Sequence, residues 1–119
     1  MTPSTTPFRV GEVVSVEFPF TDMQGRKRRP GLVLASDTND LLLARITTQQ
    51  ARNEFDVPLA DWAVMGLPKA STARLLKLVA IDVRLVHHSI GLLSVRDRAT
   101  LATAVERLGV DIAGQLRLA

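Results

Sequence analysis

The chain has 119 residues, of which 46% are hydrophobic and 23% charged, and this suits one globular domain with a modest core. It contains no cysteine, which excludes disulfides and thiolate metal sites and fits a reducing cytoplasm. The polar start MTPSTTPFRV is unlike a signal peptide, and no stretch approaches the roughly 18 apolar residues of a membrane helix. We therefore expect a cytoplasmic protein with no membrane partner.

The positive charge of the chain is local. The net charge is +3, from 15 Lys and Arg against 12 Asp and Glu, and four of these cations are consecutive at residues 26–29. Without them the remainder has a net charge of −1. A local basic cluster indicates contact with a polyanion, with RNA or DNA first in line. The alternative is a solvated loop that keeps a sheet edge soluble.

The first half of the chain predicts short strands. Residues 1–8 are expected to form a flexible arm, and residues 9–119 a single domain. Alternation of apolar and polar residues over Glu12–Phe18 predicts a half-buried strand. A long polar connection over residues 21–29 leads to the nearly continuous apolar run 31–36, which predicts a strand buried on both faces.

Four more strands are predicted before the chain changes period. They cover residues 40–49, 53–60, 74–82 and 83–91, and the first of them follows a turn of sequence DTND. Residues 68–74 are expected to form a short turn or helix that begins at Pro68.

The C-terminal segment has helical spacing. Apolar residues recur on one helical face at Leu101, Val105 and Leu108. Ser94 is the predicted N-cap, with Asp97 three residues later as in a shortened capping box, and Gly109 is the predicted stop. This predicts one amphipathic helix of about four turns. Short strands, polar loops and one terminal helix together favour a mainly β fold with a C-terminal helix, a small antiparallel barrel.

Three sequence blocks resemble the PemK/MazF family of toxins from bacterial toxin–antitoxin systems. They are VGEVVSVEFPFTD with KRRPGLVLAS, then ARITTQ, then LPKASTARLLKLVAIDVRLV with IGLLS. The resemblance spans about residues 9–108. It implies an SH3-like barrel that forms a homodimer, and an endoribonuclease that needs no metal or other cofactor. Such a toxin cleaves single-stranded RNA, often mRNA, at short sequences, and a small antitoxin holds it inactive by covering the RNA groove.

The resemblance also implies site residues. The catalytic arginine and threonine of the family match Arg29, immediately before Pro30, and Thr47. Some members have an acidic residue in the loop before the arginine. Here that stretch reads Met-Gln-Gly and Asp22 is the nearest acid.

Other polar residues near these two are candidates for contact with RNA. Arg26, Lys27 and Arg28 are expected to attract backbone phosphate without sequence preference. Thr48 and Gln49 could contact base edges or phosphate. Ser71 and Arg74, from the third sequence block, are candidate supporting residues of the site. Their alternative role is to cap and pair at the entrance to a strand.

Arginine with threonine suits RNA cleavage by the 2′-hydroxyl of the substrate. A guanidinium donates to two phosphoryl oxygens, and a hydroxyl adds one further hydrogen bond. The pair can therefore position the phosphate and stabilise developing charge. Arginine stays protonated at neutral pH and is therefore a poor general base. The sequence does not identify the group that removes the proton from the 2′-hydroxyl.

Antiparallel pairing brings the two candidates together without help from the resemblance. Arg29 opens the second strand and Thr47 closes the third, so a hairpin of residues 29–36 and 40–48 returns Thr47 to Arg29.

Two other residue types invite a functional interpretation. His87 and His88 are adjacent in a predicted strand, so their side chains point to opposite faces and cannot readily act together on one phosphate. Trp62 could stack on a base, but a lone tryptophan after a strand more often packs in the core or at its rim.

Two further functions remain open from the sequence. A CcdB-like toxin that poisons gyrase by binding it would use an aromatic C-terminus, whereas this chain ends GQLRLA. The second further function is that of a non-catalytic barrel, which binds RNA without cleaving it. Aromatic residues make up only 4% of the chain, so such a protein would depend on phosphate contacts and hydrogen bonds.

Overall fold

The computed structural model describes residues 8–18 and 27–119. Its strands are β1 Glu12–Glu17, β2 Arg28–Ser36, β3 Asp40–Thr47, β4 Asp56–Pro58, β5 Thr72–Asp82 and β6 Val86–Leu92. A 3₁₀ turn, Val83–Leu85, joins β5 to β6, and the helix α1 covers Val95–Leu118. The predicted mainly β fold with a C-terminal helix is confirmed. No helix in the described ranges is both long and apolar enough to cross a membrane.

The six strands form one antiparallel sheet in the order β4-β5-β3-β2-β1-β6. Its two edge regions approach each other, because the turn after β4 packs on β6. A Cβ atom built on Gly91 would lie 1.9 Å from the Met65 carbonyl oxygen, and one on Gly66 would lie 3.0 Å from the Ile90 carbonyl oxygen. The sheet is therefore curled so that the segment following β4 meets the opposite edge strand.

Hydrophobic clusters cover both sides of the sheet. The larger cluster includes Val13, Leu32 and Ile46 and is covered by Leu101 and Ala104 of α1. The smaller cluster fills the other side; its buried members are Val14, Val16, Phe18, Val33, Leu41, Leu43 and Ile81. The run 31–36 is buried on both faces in its first three residues, as its apolar character predicts.

The prediction that β1 is half-buried is wrong. Ser15 and Glu12 are both buried, because β2 and β6 pair with β1 on either side and the two clusters cover its faces. A buried carboxylate needs a partner, and Glu12 accepts a hydrogen bond from the Arg9 backbone N–H at 2.9 Å. The alternation of apolar and polar residues in β1 therefore does not correspond to an alternation of buried and exposed side chains.

Gly109 does not end the helix. The helix continues through Gly109 and Gly114 to Leu118, so it is 24 residues long. Among the described residues, only Gly11 and Gly66 have positive φ, so Gly109 lacks the left-handed conformation of a helix stop. Glycine inside a helix costs only about 1 kcal/mol, which the neighbouring helix-forming residues offset. The predicted N-cap does occur: the Ser94 Oγ accepts from the Asp97 N–H at 3.1 Å.

Several element ends differ from the predictions. No helix forms over residues 68–74, since β5 already begins at Thr72. The strand predicted over 53–60 is only three residues long, and that predicted over 83–91 begins after the 3₁₀ turn. Most of the polar connection 21–29 lies outside the described residues, but Arg28 and Arg29 belong to β2 and pair with Glu17 and Val16 of β1.

Replacing Gly91 with alanine is expected to destabilise the protein by at least about 2 kcal/mol, because its Cβ would overlap the Met65 carbonyl oxygen. Gly109→Ala is the matched control: a Cβ there meets nothing within 4 Å, and alanine is the better helix former. Denaturant unfolding measures both. Equal stability of the two variants would contradict the close contact between β6 and the turn after β4.

Candidate functional site

Arg29 and Thr47 lie at the mouth of the β2–β3 hairpin. Gly31 of β2 is the direct partner of Arg45 of β3. Arg29 lies two residues before Gly31 and Thr47 two residues after Arg45, so side-chain alternation places both on the same face at the next step of the ladder. The backbone of Arg29 is positioned by its pairing with Val16 of β1, while its side chain is exposed.

A row of paired residues crosses four strands next to this position. Gly31 pairs with Arg45, Arg45 with Arg74 of β5, and Arg74 with Asp56 of β4. Directly opposed residues share a face of the sheet, so these side chains are neighbours. The next row on the same face of the sheet contains Thr47 and Thr72. The catalytic candidates therefore lie beside this row of charged residues.

Residues of β2, β3 and β5, together with Ile90 of β6 and the segment before β5, line a groove of about 440 Å³. Among the described residues, its lining includes five cations and no carboxylate: Arg28, Arg29, Arg45, Arg74 and Lys77. The other lining residues are Pro30, Ile46, Thr47, Thr48, Gln49, Leu67, Pro68, Ser71 and Ile90. Cations gathered in a concave surface focus a positive potential, which attracts an anion such as a phosphodiester. Pro68 and Ile90 add apolar surface beside the charges.

Two hydroxyl groups in the groove have different hydrogen bonds. The Thr47 Oγ1 accepts from the Gln49 backbone N–H at 3.1 Å, so its own hydrogen remains available to donate. The Ser71 Oγ donates to the Lys69 carbonyl oxygen at 2.8 Å, so its hydrogen is already engaged. Thr47 is therefore the better donor to a ligand in the groove, and Ser71 is better suited to accept.

Two of the arginines have defined neighbours. The Arg45 guanidinium carbon lies 5.5 Å from the centre of the Phe18 ring, within the range of a cation–π contact. The Arg74 Nε lies 3.6 Å from the Asp56 Oδ1, and both side chains are largely buried. Gly31, the strand partner of Arg45, packs closely against Leu43, because a Cβ on it would lie only 3.1 Å from the Leu43 Cδ1.

Comparison with protein families gives a match over residues 9–108 to the model described as PemK-like, MazF-like toxin of type II toxin-antitoxin system. The chain belongs to the PemK/MazF toxin family. The resemblance seen in the sequence blocks is thereby confirmed. A comparison with curated proteins gave no match.

Solved structures of a mycobacterial toxin and of two mycobacterial endoribonucleases are similar in fold. The Mycobacterium tuberculosis toxin MazF-mt6 is 24% identical with a TM-score of 0.66, over 81% of this chain and 93% of that one. An endoribonuclease in complex with its cognate antitoxin, from a mycobacterial species, is 15% identical with a TM-score of 0.67, over 83% and 92%. A mycobacterial endoribonuclease is 16% identical with a TM-score of 0.66, over 89% and 94%. This likeness confirms the predicted SH3-like barrel fold.

The structure brings most of the predicted PemK/MazF site residues into one groove. They are Arg28, Arg29, Thr47, Thr48, Gln49, Ser71 and Arg74. Lys27 is exposed immediately before β2 and does not line the groove, and Arg26 lies outside the described residues. Arg28 was expected in the loop with them but is a strand residue.

Two of the five groove cations were not predicted from the sequence. Arg45 lies two residues before Thr47 on the same strand, so strand alternation alone could have indicated that they share a face. Lys77 has no such signal. It enters the groove because the β3–β5 pairing jumps from Ala44–Leu78 to Arg45–Arg74, which leaves three β5 residues outside the ladder.

The histidines and the tryptophan lie elsewhere. His87 and His88 are exposed on β6 and do not line the groove, and the His87 Nε2 lies 4.0 Å from a Glu17 carboxylate oxygen. Trp62 packs against the larger hydrophobic cluster. Within residues 8–18 and 27–119, no three His, Asp or Glu side chains are grouped as metal ligands.

Proposed function

We propose that this protein is a toxin endoribonuclease that cleaves single-stranded RNA at short sequences without a metal ion. One observation carries the proposal: Arg29 and Thr47, from neighbouring strands of one hairpin, open into a groove lined by five cations. Membership of the PemK/MazF family and the endoribonucleases of similar fold support it. The guanidinium groups supply the positive charge that a metal would otherwise bring to the phosphate.

In the proposed reaction, the RNA 2′-oxygen attacks its own neighbouring phosphorus. The new P–O2′ bond forms as the P–O5′ bond breaks, which leaves a 2′,3′-cyclic phosphate and a 5′-hydroxyl end. The proton leaves the 2′-hydroxyl and one is added to the departing 5′-oxygen. Arg29 donates hydrogen bonds to the phosphoryl oxygens, where charge develops. Thr47 donates the hydrogen that its contact with the Gln49 N–H leaves free.

We further propose two protein partners. An antitoxin segment with acidic residues would cover the groove and block RNA, since its carboxylates complement the same cations. A second copy of the chain would form a homodimer. The last turns of α1 support it by exposing the large apolar residues Val110, Ile112, Leu116 and Leu118. The site of action would be the cytoplasm, where mRNA is available.

Incubation of the purified protein with a long single-stranded RNA in EDTA tests the activity. We expect cuts at recurring short sequences, with cyclic phosphate and 5′-hydroxyl ends. Thr47→Ala should cut about 10-fold to 100-fold more slowly, since one neutral hydrogen bond to the transition state is lost.

Thr38→Ala is the matched control, because Thr38 is exposed at the far turn of the same hairpin and does not line the groove. It should cut like the wild type. Intact RNA after removal of any bound antitoxin would contradict the proposed enzyme, and RNA bound without cleavage would favour the non-catalytic barrel. Equal rates for wild type and Thr47→Ala would contradict the role of Thr47 alone.

A further inference from the structure

Asp56 is a buried acid that lies behind the groove. Its side chain is 2% exposed, and it sits on β4 directly opposite Arg74 of β5. Arg74 lines the groove, whereas Asp56 does not. Any effect of Asp56 on a ligand in the groove would therefore act through Arg74.

Both carboxylate oxygens of Asp56 have a neighbour. Oδ1 lies 3.6 Å from the Arg74 Nε, and Oδ2 accepts a hydrogen bond from the Arg52 backbone N–H at 2.9 Å. The Leu75 N–H donates to the Phe55 carbonyl oxygen at 2.9 Å, which ties the start of β4 to β5 at the same level. The position of the carboxylate is thus set by backbone contacts on both sides.

Arg74 has a like charge on its other side. Arg45 is its direct partner on β3, and like charges in directly opposed positions repel each other. Asp56 offsets this repulsion and draws the Nε edge of Arg74 towards β4. The two terminal nitrogens, which carry four of the five guanidinium donors, remain for the groove.

We propose that Asp56 is a positioning residue, which holds Arg74 so that its terminal nitrogens bind an RNA phosphate in the groove. This rests on the proposed function, because it assumes that the groove binds RNA. The ligand would be a phosphodiester bound by the terminal nitrogens of Arg74, while the buried Asp56 carboxylate holds the Nε side of the same guanidinium.

The sign of the effect of Asp56→Asn separates positioning from simple charge. An acid that merely lies near RNA repels it, so its removal would tighten binding. Loss of positioning weakens binding instead. We expect Asp56→Asn to weaken binding of a 2′-O-methyl RNA by about 3-fold to 30-fold, the range of coupling between contacting residues.

Glu54→Gln is the matched control. It removes the same charge two residues away, from a side chain that pairs with Arg107 of α1 and does not line the groove. It should leave binding unchanged. In an Arg74→Ala background, Asp56→Asn should no longer weaken binding. Unchanged or tighter binding by folded Asp56→Asn, or the same weakening without Arg74, would overturn the proposal.

If Asp56→Asn does not fold, Arg74→Lys serves instead, because it keeps the charge and leaves Asp56 in place. Lysine has no separate Nε edge for Asp56 to hold. It should weaken binding by a similar factor, and wild-type affinity would overturn the proposal.

A readout without RNA separates this proposal from the proposed function. The Arg74 Nε–H resonance should shift and broaden in Asp56→Asn but not in Glu54→Gln. An unchanged resonance would overturn the positioning of Arg74, whatever the RNA experiments show. A changed resonance in a protein that binds no RNA would support the positioning and contradict the proposed function alone.

Discussion

Arg29→Ala is expected to slow RNA cleavage by about 100-fold to 1,000-fold, the usual loss when a donor to developing negative charge is removed. The side chain is exposed and its backbone stays paired with Val16, so the fold should be unaffected. Single-turnover cleavage of a defined RNA measures the rate, and thermal unfolding checks the stability.

Arg29→Lys distinguishes charge from geometry at this position. Lysine keeps the charge but lacks the planar pair of donors, so most of the activity should still be lost. Arg117→Ala is the matched control, because Arg117 is exposed in the last turn of α1 and does not line the groove. Full activity of Arg29→Ala would remove this residue from the proposed mechanism, and full activity of Arg29→Lys would reduce its role to charge.

Asp97→Ala is expected to lower the free energy of unfolding by about 2–4 kcal/mol, since two backbone N–H groups lose their hydrogen bonds to a buried, charged acceptor. Asp97 is 1% exposed. Its carboxylate accepts from the Ala60 N–H at 2.8 Å and the Asp61 N–H at 2.9 Å, which joins the start of α1 to the segment after β4. Asp61 in turn pairs with Arg96 and accepts from the Ser94 Oγ, and these contacts lower the pKa of the Asp61 carboxyl.

Asp111→Ala is the control for Asp97→Ala, because Asp111 is exposed in the same helix. Denaturant unfolding should show little change for Asp111→Ala and a clear loss for Asp97→Ala. The Asp97 variant should still cleave RNA at temperatures where it is folded, because Asp97 does not line the groove. Stability within 0.5 kcal/mol of the wild type would be inconsistent with the loss of two hydrogen bonds to a charged acceptor.

The open end of the β2–β3 hairpin could be predicted from the sequence, because it depends only on residues that are close together in the chain. A short turn between two apolar runs fixes which residues meet, so Arg29 and Thr47 follow from strand ends alone. Arg74 needed the family resemblance, since β5 is far from β2 in sequence. The register break that brings Lys77 into the groove has no local signal, because it depends on how β3 and β5 pair.

Burial and helix length were harder to predict for a related reason. Alternation in β1 suggested one exposed face, yet hydrophobic clusters that include residues far away in the chain cover both of its faces. Glycine favours the position after a helix, which predicts Gly109 as the stop, but glycine also adopts helical angles at modest cost. In both cases a distant contact or a neighbouring segment outweighed the local preference.

Mapping of an uncleavable RNA on the 13.0 kDa protein by NMR tests the central claim most directly. We expect the backbone resonances of Arg29, Thr47, Gln49 and Arg74 to shift on addition of a 2′-O-methyl RNA. Those of the exposed face of α1 should not shift. Shifts confined to α1, or none in the β2–β3–β5 groove at saturating RNA, would contradict it.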